Sequence, residues 1–192
     1  MTRNAIRDGI GAAIKSKGFH DDGTVLVDGT LFRLSLAQTE ACEAMQEVKR
    51  HWGKPGVDAE KLRDVVAEEL ADFAIRVYDC AAFGGFDLDR GIVLYDPLSV
   101  GPTERVGLIV RIGKLTSLVG DAFAVVEQEE DLEVTEFLDF TTTSVSDFLH
   151  TALVHAEALC QSIGRDLNRA IDAKMEKNMK RPDRYGTPDE QK

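Results

Sequence analysis

Apolar positions recur along most of this chain at intervals of three and four residues, the repeat of a helix with one buried face. Ile6, Ile10, Ala13 and Ile14 predict a first helix over 4–16, with Gly18 as its terminator. A short apolar run, Val25-Leu26-Val27, reads as a candidate extended segment closed by Asp28-Gly29. Leu34, Ala37, Ala41, Ala44, Met45 and Val48 predict a helix over 31–52, broken by Gly53-x-Pro55-Gly56. Asp58 suits the N-cap of the next helix, which carries Leu62, Val65, Val66, Leu70, Phe73 and Val77 to about Phe83 before Gly84-Gly85. A short helical turn is expected around 88–92, a connector over 97–102, and a third long helix over 103–126. The acidic run 127–133 reads as a solvated helix end or loop. Thr143 or Ser144 is a candidate cap for a helix holding Val145, Phe148, Leu149, Leu153, Ala156 and Leu159, and a last helix runs from Asp166 to near Lys180, before Pro182.

The expected fold is therefore an all-α helical bundle. Asp87-Leu88-Asp89-Arg90-Gly91-Ile92 returns 79 positions later as Asp166-Leu167-Asn168-Arg169-Ala170-Ile171, each preceded by a glycine (Gly85, Gly164) and a long amphipathic helix. At nearly the same offset the helix over 31–52 lies over the one at 106–126, with Glu43-Ala44 opposite Asp121-Ala122. Either two helical hairpins duplicated and packed into a four-helix core, or two amphipathic segments resemble each other by chance. The duplication reading makes residues 1–192 one domain of two halves, 1–96 and 97–192.

Composition narrows the class. With 43% hydrophobic and 30% charged residues in 192, the chain reads as an ordinary soluble domain with enough length for a sizeable core. A formal charge of −11, from 23 basic and 34 acidic residues, disfavours a nucleic-acid partner and means that a small anionic ligand needs metal ions to approach. No run of about 20 apolar residues suggests a membrane span, and residues 1–8 do not read as a signal peptide. A cytoplasmic protein without a membrane partner is expected. Cys42, Cys80 and Cys160 lack CxxC spacing and read as reduced, semi-buried thiols, and His20, His51, His150 and His155 lack zinc-site spacing. Phosphate-loop and dinucleotide fingerprints are absent.

The candidate chemistry is carboxylate chemistry. Glu40 and Glu43 lie three residues apart on one expected helix, Glu69 and Asp72 three apart on the next, so each pair shares a face with Cβ atoms about 5–6 Å apart. If the helices are antiparallel neighbours, four acids converge, and such a cluster calls for a hard divalent cation, Mg²⁺ or Mn²⁺. Alternatively, each pair is only a solvated face of an acidic chain. Both pairs border the apolar seam, beside Ala37, Ala41 and Ala44 in one case and Leu70 and Phe73 in the other. Glu47 and Asp79 extend the two acidic stripes toward solvent, and Glu68, about 100° around the helix from Glu69, reads as a surface residue. Trp52 is a candidate for stacking on a base, though hydrophobic anchoring is the commoner use of such a residue.

Thr39-Glu40-Ala41-Cys42-Glu43-Ala44, Glu68-Glu69-Leu70-Ala71-Asp72 and Gly85-Phe86-Asp87-Leu88 resemble the E-x-x-E, E-x-x-D core of the MazG-like all-α nucleotide pyrophosphohydrolases. The stretch Lys174-Met175-Glu176-Lys177-Asn178-Met179-Lys180-Arg181-Pro182-Asp183-Arg184-Tyr185-Gly186 is similar to that family's K-M-x-x-N-x-x-R-P-x-R-x-G tail. The resemblance spans most of the chain. It implies that Glu40, Glu43, Glu69 and Asp72 form the catalytic site and hold Mg²⁺, with Mn²⁺ as the substitute. It also implies that Lys174, Asn178 and Arg181 bind a small-molecule nucleotide. The implied reaction is hydrolysis of a (deoxy)nucleoside triphosphate to monophosphate and pyrophosphate. A triphosphate bears about four negative charges, which the metal and the basic tail would offset. The tail's other reading is a basic helix end favoured by the helix dipole.

The second half departs from the pattern, since Phe148 and Thr151 stand at the positions of Glu69 and Asp72, and Leu118 at that of Glu40. One acidic site is expected per chain. A homo-oligomer is compatible with the resemblance, whereas internal duplication would make a self-sufficient monomer. The competing functional reading is a non-catalytic nucleotide-binding or protein-interaction module built on the same fold.

Overall fold

The computed structural model describes residues 2–18, 26–51, 54, 56, 58–94, 105–128 and 134–180. They form six α-helices: α1 (Arg3–Ser16), α2 (Leu26–His51), α3 (Ala59–Gly84), α4 (Arg105–Gln128), α5 (Val134–Ser162) and α6 (Leu167–Met179), with no strand among the described residues. The all-α bundle is as expected. The expected loop at His20–Gly23, Val25, Trp52, the break at 53 and 55, the connector at 97–102, the acidic residues 129–133, Arg181 and Pro182 lie outside the described residues.

Local chemistry sets several helix ends. Asp58 accepts from the Glu60 N–H at 2.9 Å and starts α3, and Asp166 accepts from the Arg169 N–H at 3.0 Å and starts α6. Gly85 and Gly164 adopt left-handed φ values of 69° and 72°, and in each case the following N–H closes back onto the preceding helix. Phe86 donates to the Ala81 carbonyl and Arg165 to the Cys160 carbonyl, both at 2.9 Å. The two closures stand 79 residues apart, the offset of the sequence repeat.

Beyond those glycines the resemblance between the two stretches stops, and three expectations need correction. Residues 88–92 form no helical turn, because their backbone groups bond elsewhere: the Leu88 N–H donates to Asn4 of α1 at 2.9 Å, and others reach α5. The Ile92 N–H donates to Asp147 at 2.9 Å, and His150 Nδ1 donates to the Leu88 carbonyl at 2.7 Å. Gly91 makes this approach possible, since a Cβ there would sit 2.4 Å from His150 Cβ. Leu26 and Val27 are helical rather than extended, and Asp28-Gly29 does not interrupt α2. Gly29 seats the Phe83 ring against the α2 backbone, where a Cβ would come within 2.4 Å of it. Finally, neither Thr143 nor Ser144 caps a helix, because α5 already begins at Val134 and helical hydrogen bonding continues through them.

α2, α3, α5 and α4 pack as a closed ring of four neighbours, and α1 and α6 lie on α3. Their shared core includes Leu34, Leu70, Phe73, Leu115, Leu149 and Leu153, all fully buried. Side chains of this size stabilise the fold by about 1.5–3 kcal/mol each on burial. The stretch after α3 crosses to α5, while the helix after α5 crosses to α3. No helix among the described residues is long and apolar enough to cross a membrane.

Candidate metal centre

α2 and α3 run antiparallel, as the pairings of Arg33 with Asp79 and of Glu40 with Arg76 require. Small, fully buried residues line their seam, with Ala37, Ala41 and Ala44 on α2 and Ala71 and Ala74 on α3. Alanines let the two backbones come close, so longer side chains at the rim of the seam are brought together. Glu40, Glu43 and Glu69 stand at that rim, and one oxygen from each falls within 4.8 Å of the others. Octahedral Mg²⁺ at about 2.0–2.1 Å from its ligands spans at most about 4.2 Å between opposite oxygens. Of three oxygens on one octahedron only one pair can stand opposite and the others are about 2.9 Å apart, so the three carboxylates would draw together by up to about 2 Å to share one ion.

Asp72 is not part of that convergent group. Its Oδ2 lies 2.5 Å from Nζ of Lys174, which also donates to Glu68 Oε1 at 3.0 Å. α6 runs parallel to α3 and delivers this lysine. At the start of α6, Arg165 reaches Glu60 and Asp64, each at 2.7 Å, and two turns later Lys174 and Lys177 reach Glu68. Arg76 Nε donates to Glu40 Oε1 at 3.2 Å. The carboxylates thus pair with two cations of the protein itself.

The electrostatics record an acid cluster short of positive charge. Burial, opposed by the Arg76 hydrogen bond, raises the pKa of Glu40. Burial first, then repulsion by Asp72, pushes Glu69 up to about 7, with Lys174 opposing and Glu43 and Glu40 adding to the shift. Hydrogen bonds from Lys177 and Lys174 hold Glu68 down at about 2. Burial disfavours the charge on Lys174, but its bonds to Asp72 and Glu68 outweigh that and raise its pKa.

The sequence places the carboxylate trio well and the other residues unevenly. Lys174 comes to the site. Asn178, one turn further along α6, has a buried Oδ1 with no hydrogen-bond partner among the described residues. Arg181 lies outside them. Asp79 does not face solvent, being 4% exposed with Oδ2 3.5 Å from Arg33 Nε, while Arg33 also stacks on Phe83 at 3.8 Å. Glu47 pairs with Arg50 and His51 on its own helix. The cysteines are all free, but Cys42 is exposed and the other two are buried. Arg76 escaped sequence reasoning, although its spacing of four from Asp72 and seven from Glu69 puts it on their helical face.

Beside Lys174, along the α3–α6 groove, lies an open cavity of about 750 Å³ whose walls include Ala67, Glu68, Arg165, Arg169 and Lys177. That volume is in the usual range for a small-molecule site, about 300–1,000 Å³. At the positions 79 residues beyond Glu69 and Asp72 stand Phe148 and Thr151. Thr151 accepts from the Leu94 N–H at 3.1 Å, so the stretch after α3 covers that face. No family model, curated protein or solved structure matches this chain.

Proposed function

We propose that the chain is a Mg²⁺-dependent pyrophosphohydrolase of the MazG-like kind that converts a (deoxy)nucleoside triphosphate to its monophosphate and pyrophosphate. The observation that carries this reading is the convergence of Glu40, Glu43 and Glu69 at the rim of the α2–α3 seam, with Lys174 beside them. Mg²⁺ supplies Lewis-acid polarisation of phosphoryl oxygens and lowers the pKa of water. Glu40, Glu43, Glu69 and, once free of Lys174, Asp72 would hold it.

Each neighbouring side chain has a matching task. Lys174 and Arg76 both reach acids of the cluster and would offset phosphate charge that the metal leaves uncompensated. One carboxylate of the cluster would accept a proton from water attacking the α-phosphorus. The groove beside Lys174 would take the remainder of the nucleotide. The second half serves as scaffold, with its corresponding face covered by 91–94.

The test is pyrophosphate release from a panel of canonical and modified NTPs and dNTPs with Mg²⁺, comparing wild type with Glu43→Gln and Asp72→Asn. Monophosphate and pyrophosphate in equal amounts, lost in either variant, are expected. An inactive wild type that shows no metal-dependent nucleotide binding would overturn the enzyme reading in favour of a scaffold module.

A further inference from the structure

Three of the four acids expected to act together converge, and the fourth is occupied. Asp72 sits on the same face of α3 as Glu69, yet it is tied to Lys174 at 2.5 Å and stands outside the group whose oxygens lie within 4.8 Å of one another. Lys174 is well sheltered, its side chain 12% exposed, whereas Lys177, one turn away, is 57% exposed and pairs with Glu68. Lys174 also has a second anchor, since Glu68 Oε1 accepts from the same ammonium at 3.0 Å. It could therefore leave Asp72 without α6 losing its attachment to α3.

We propose that Lys174 is an internal counter-ion that competes with the metal for Asp72, so that metal and a phosphate-bearing ligand bind this site cooperatively. This rests on the metal-site reading above and adds how the site is regulated. An ammonium on a carboxylate neutralises it much as a divalent ion would, and it weakens that carboxylate as a metal ligand. A phosphate arriving beside the cluster offers Lys174 a more highly charged partner. As the ammonium turns to it, Asp72 is released to complete the metal's ligand set. Linkage makes the effect reciprocal, since whatever a bound metal does for phosphate affinity, phosphate does for metal affinity. In the nucleotide-free chain the lysine keeps metal affinity low, which favours capture of the metal together with its nucleotide.

The experiment is calorimetric titration of the full chain with Mn²⁺ alone, using wild type, Lys174→Gln, Asp72→Asn and the double variant. Lys174→Gln should bind Mn²⁺ at least about fivefold more tightly than wild type, the lower end of typical coupling between sites. In the Asp72→Asn background the same substitution should bring no gain, because the ligand it frees is gone. Lys177→Gln removes the same charge one turn away and should change affinity by less than about twofold. Lys174→Arg, which retains charge and the dock to Glu68, should bind no more tightly than wild type, and it reports even if Lys174→Gln fails to fold. A gain that persists with Asp72→Asn, or an equal gain in Lys177→Gln, would reduce the effect to general charge and overturn the proposal. If wild type binds Mn²⁺ through Glu43, as loss in Glu43→Gln would show, and Lys174→Gln matches it, the counter-ion role fails while the metal site stands. If neither wild type nor Lys174→Gln binds Mn²⁺, both readings fall.

Discussion

Glu69→Gln should make the metal-free protein more stable while abolishing its stabilisation by Mg²⁺. Two unit charges 4.8 Å apart repel by about 0.9 kcal/mol in water-like surroundings and by about 3.5 kcal/mol at an effective dielectric of 20. Glu69 has two such neighbours, Glu40 and Glu43, and Asp72 repels it as well, with Arg76 and Lys174 offsetting part of the repulsion. Because the site opens to solvent, a net gain of about 1–2 kcal/mol is expected near pH 8, or a Tm higher by about 3–6 °C for a chain of this length. The sign depends on pH. The pKa of Glu69 is raised from 4.5 to about 7 in the fold, so its contribution to stability is fully present below 4.5 and is lost as pH rises through 7. The neutral glutamine keeps that contribution, so the two proteins should melt together near pH 4.5 and diverge toward pH 8. Saturating Mg²⁺ then reverses the order, since an ion at a hundredfold over its Kd stabilises wild type by about 2.7 kcal/mol. Differential scanning fluorimetry across pH, with EDTA or Mg²⁺, gives both readings. A variant less stable than wild type at pH 8 in EDTA, or one that gains as much from Mg²⁺, would refute the argument that these acids are held together against their charge.

Gly91→Ala should destabilise by about 1–3 kcal/mol in chemical denaturation, because its Cβ has no room against His150, yet leave Mn²⁺ affinity unchanged. Asp79→Ala, which strands the buried Arg33 guanidinium, should cost about 3–5 kcal/mol in the same assay. The ion pairs of Glu68 hold its pKa down from 4.5 to about 2, so the stability they contribute is present above 4.5 and lost as pH falls toward 2. Amide exchange in α6 should accelerate over that interval, and Glu68→Gln should remove the dependence. Native protein should take one thiol label, on exposed Cys42, since burial pushes Cys160 up to about 12 and Cys80 higher still; mass spectrometry counts the labels.

Where an element is set by neighbours in sequence, it was legible without coordinates. Asp58 and Asp166 mark their helix starts by their own side chains, and Gly85 and Gly164 mark ends that require a positive φ. The misreadings fall where a distant element decides. Asp28-Gly29 reads as a break until Phe83 is seen packing on it, and 88–92 resembles a helical turn until α1 and α5 claim its backbone groups. The site divides in the same way. Spacing of three places Glu40, Glu43, Glu69 and Asp72 on two faces, and the alanines beside them mark a close seam. That Asp72 is held by Lys174 depends on α6 lying parallel along α3, a packing choice to which no local pattern in either helix points.

The crossing of the chain after each left-handed glycine has a bearing on how the molecule comes apart. Residues 88–94 clasp α5, and α6 clasps α3, so each side of the bundle is closed by an arm that belongs to the other. Neither side can open while keeping its own cover, and a chain cut within residues 95–104 would yield two fragments, each holding what its counterpart lacks. Loss of the arms and loss of the core should therefore be one event, with the carboxylate site surviving only while both arms stay exchanged.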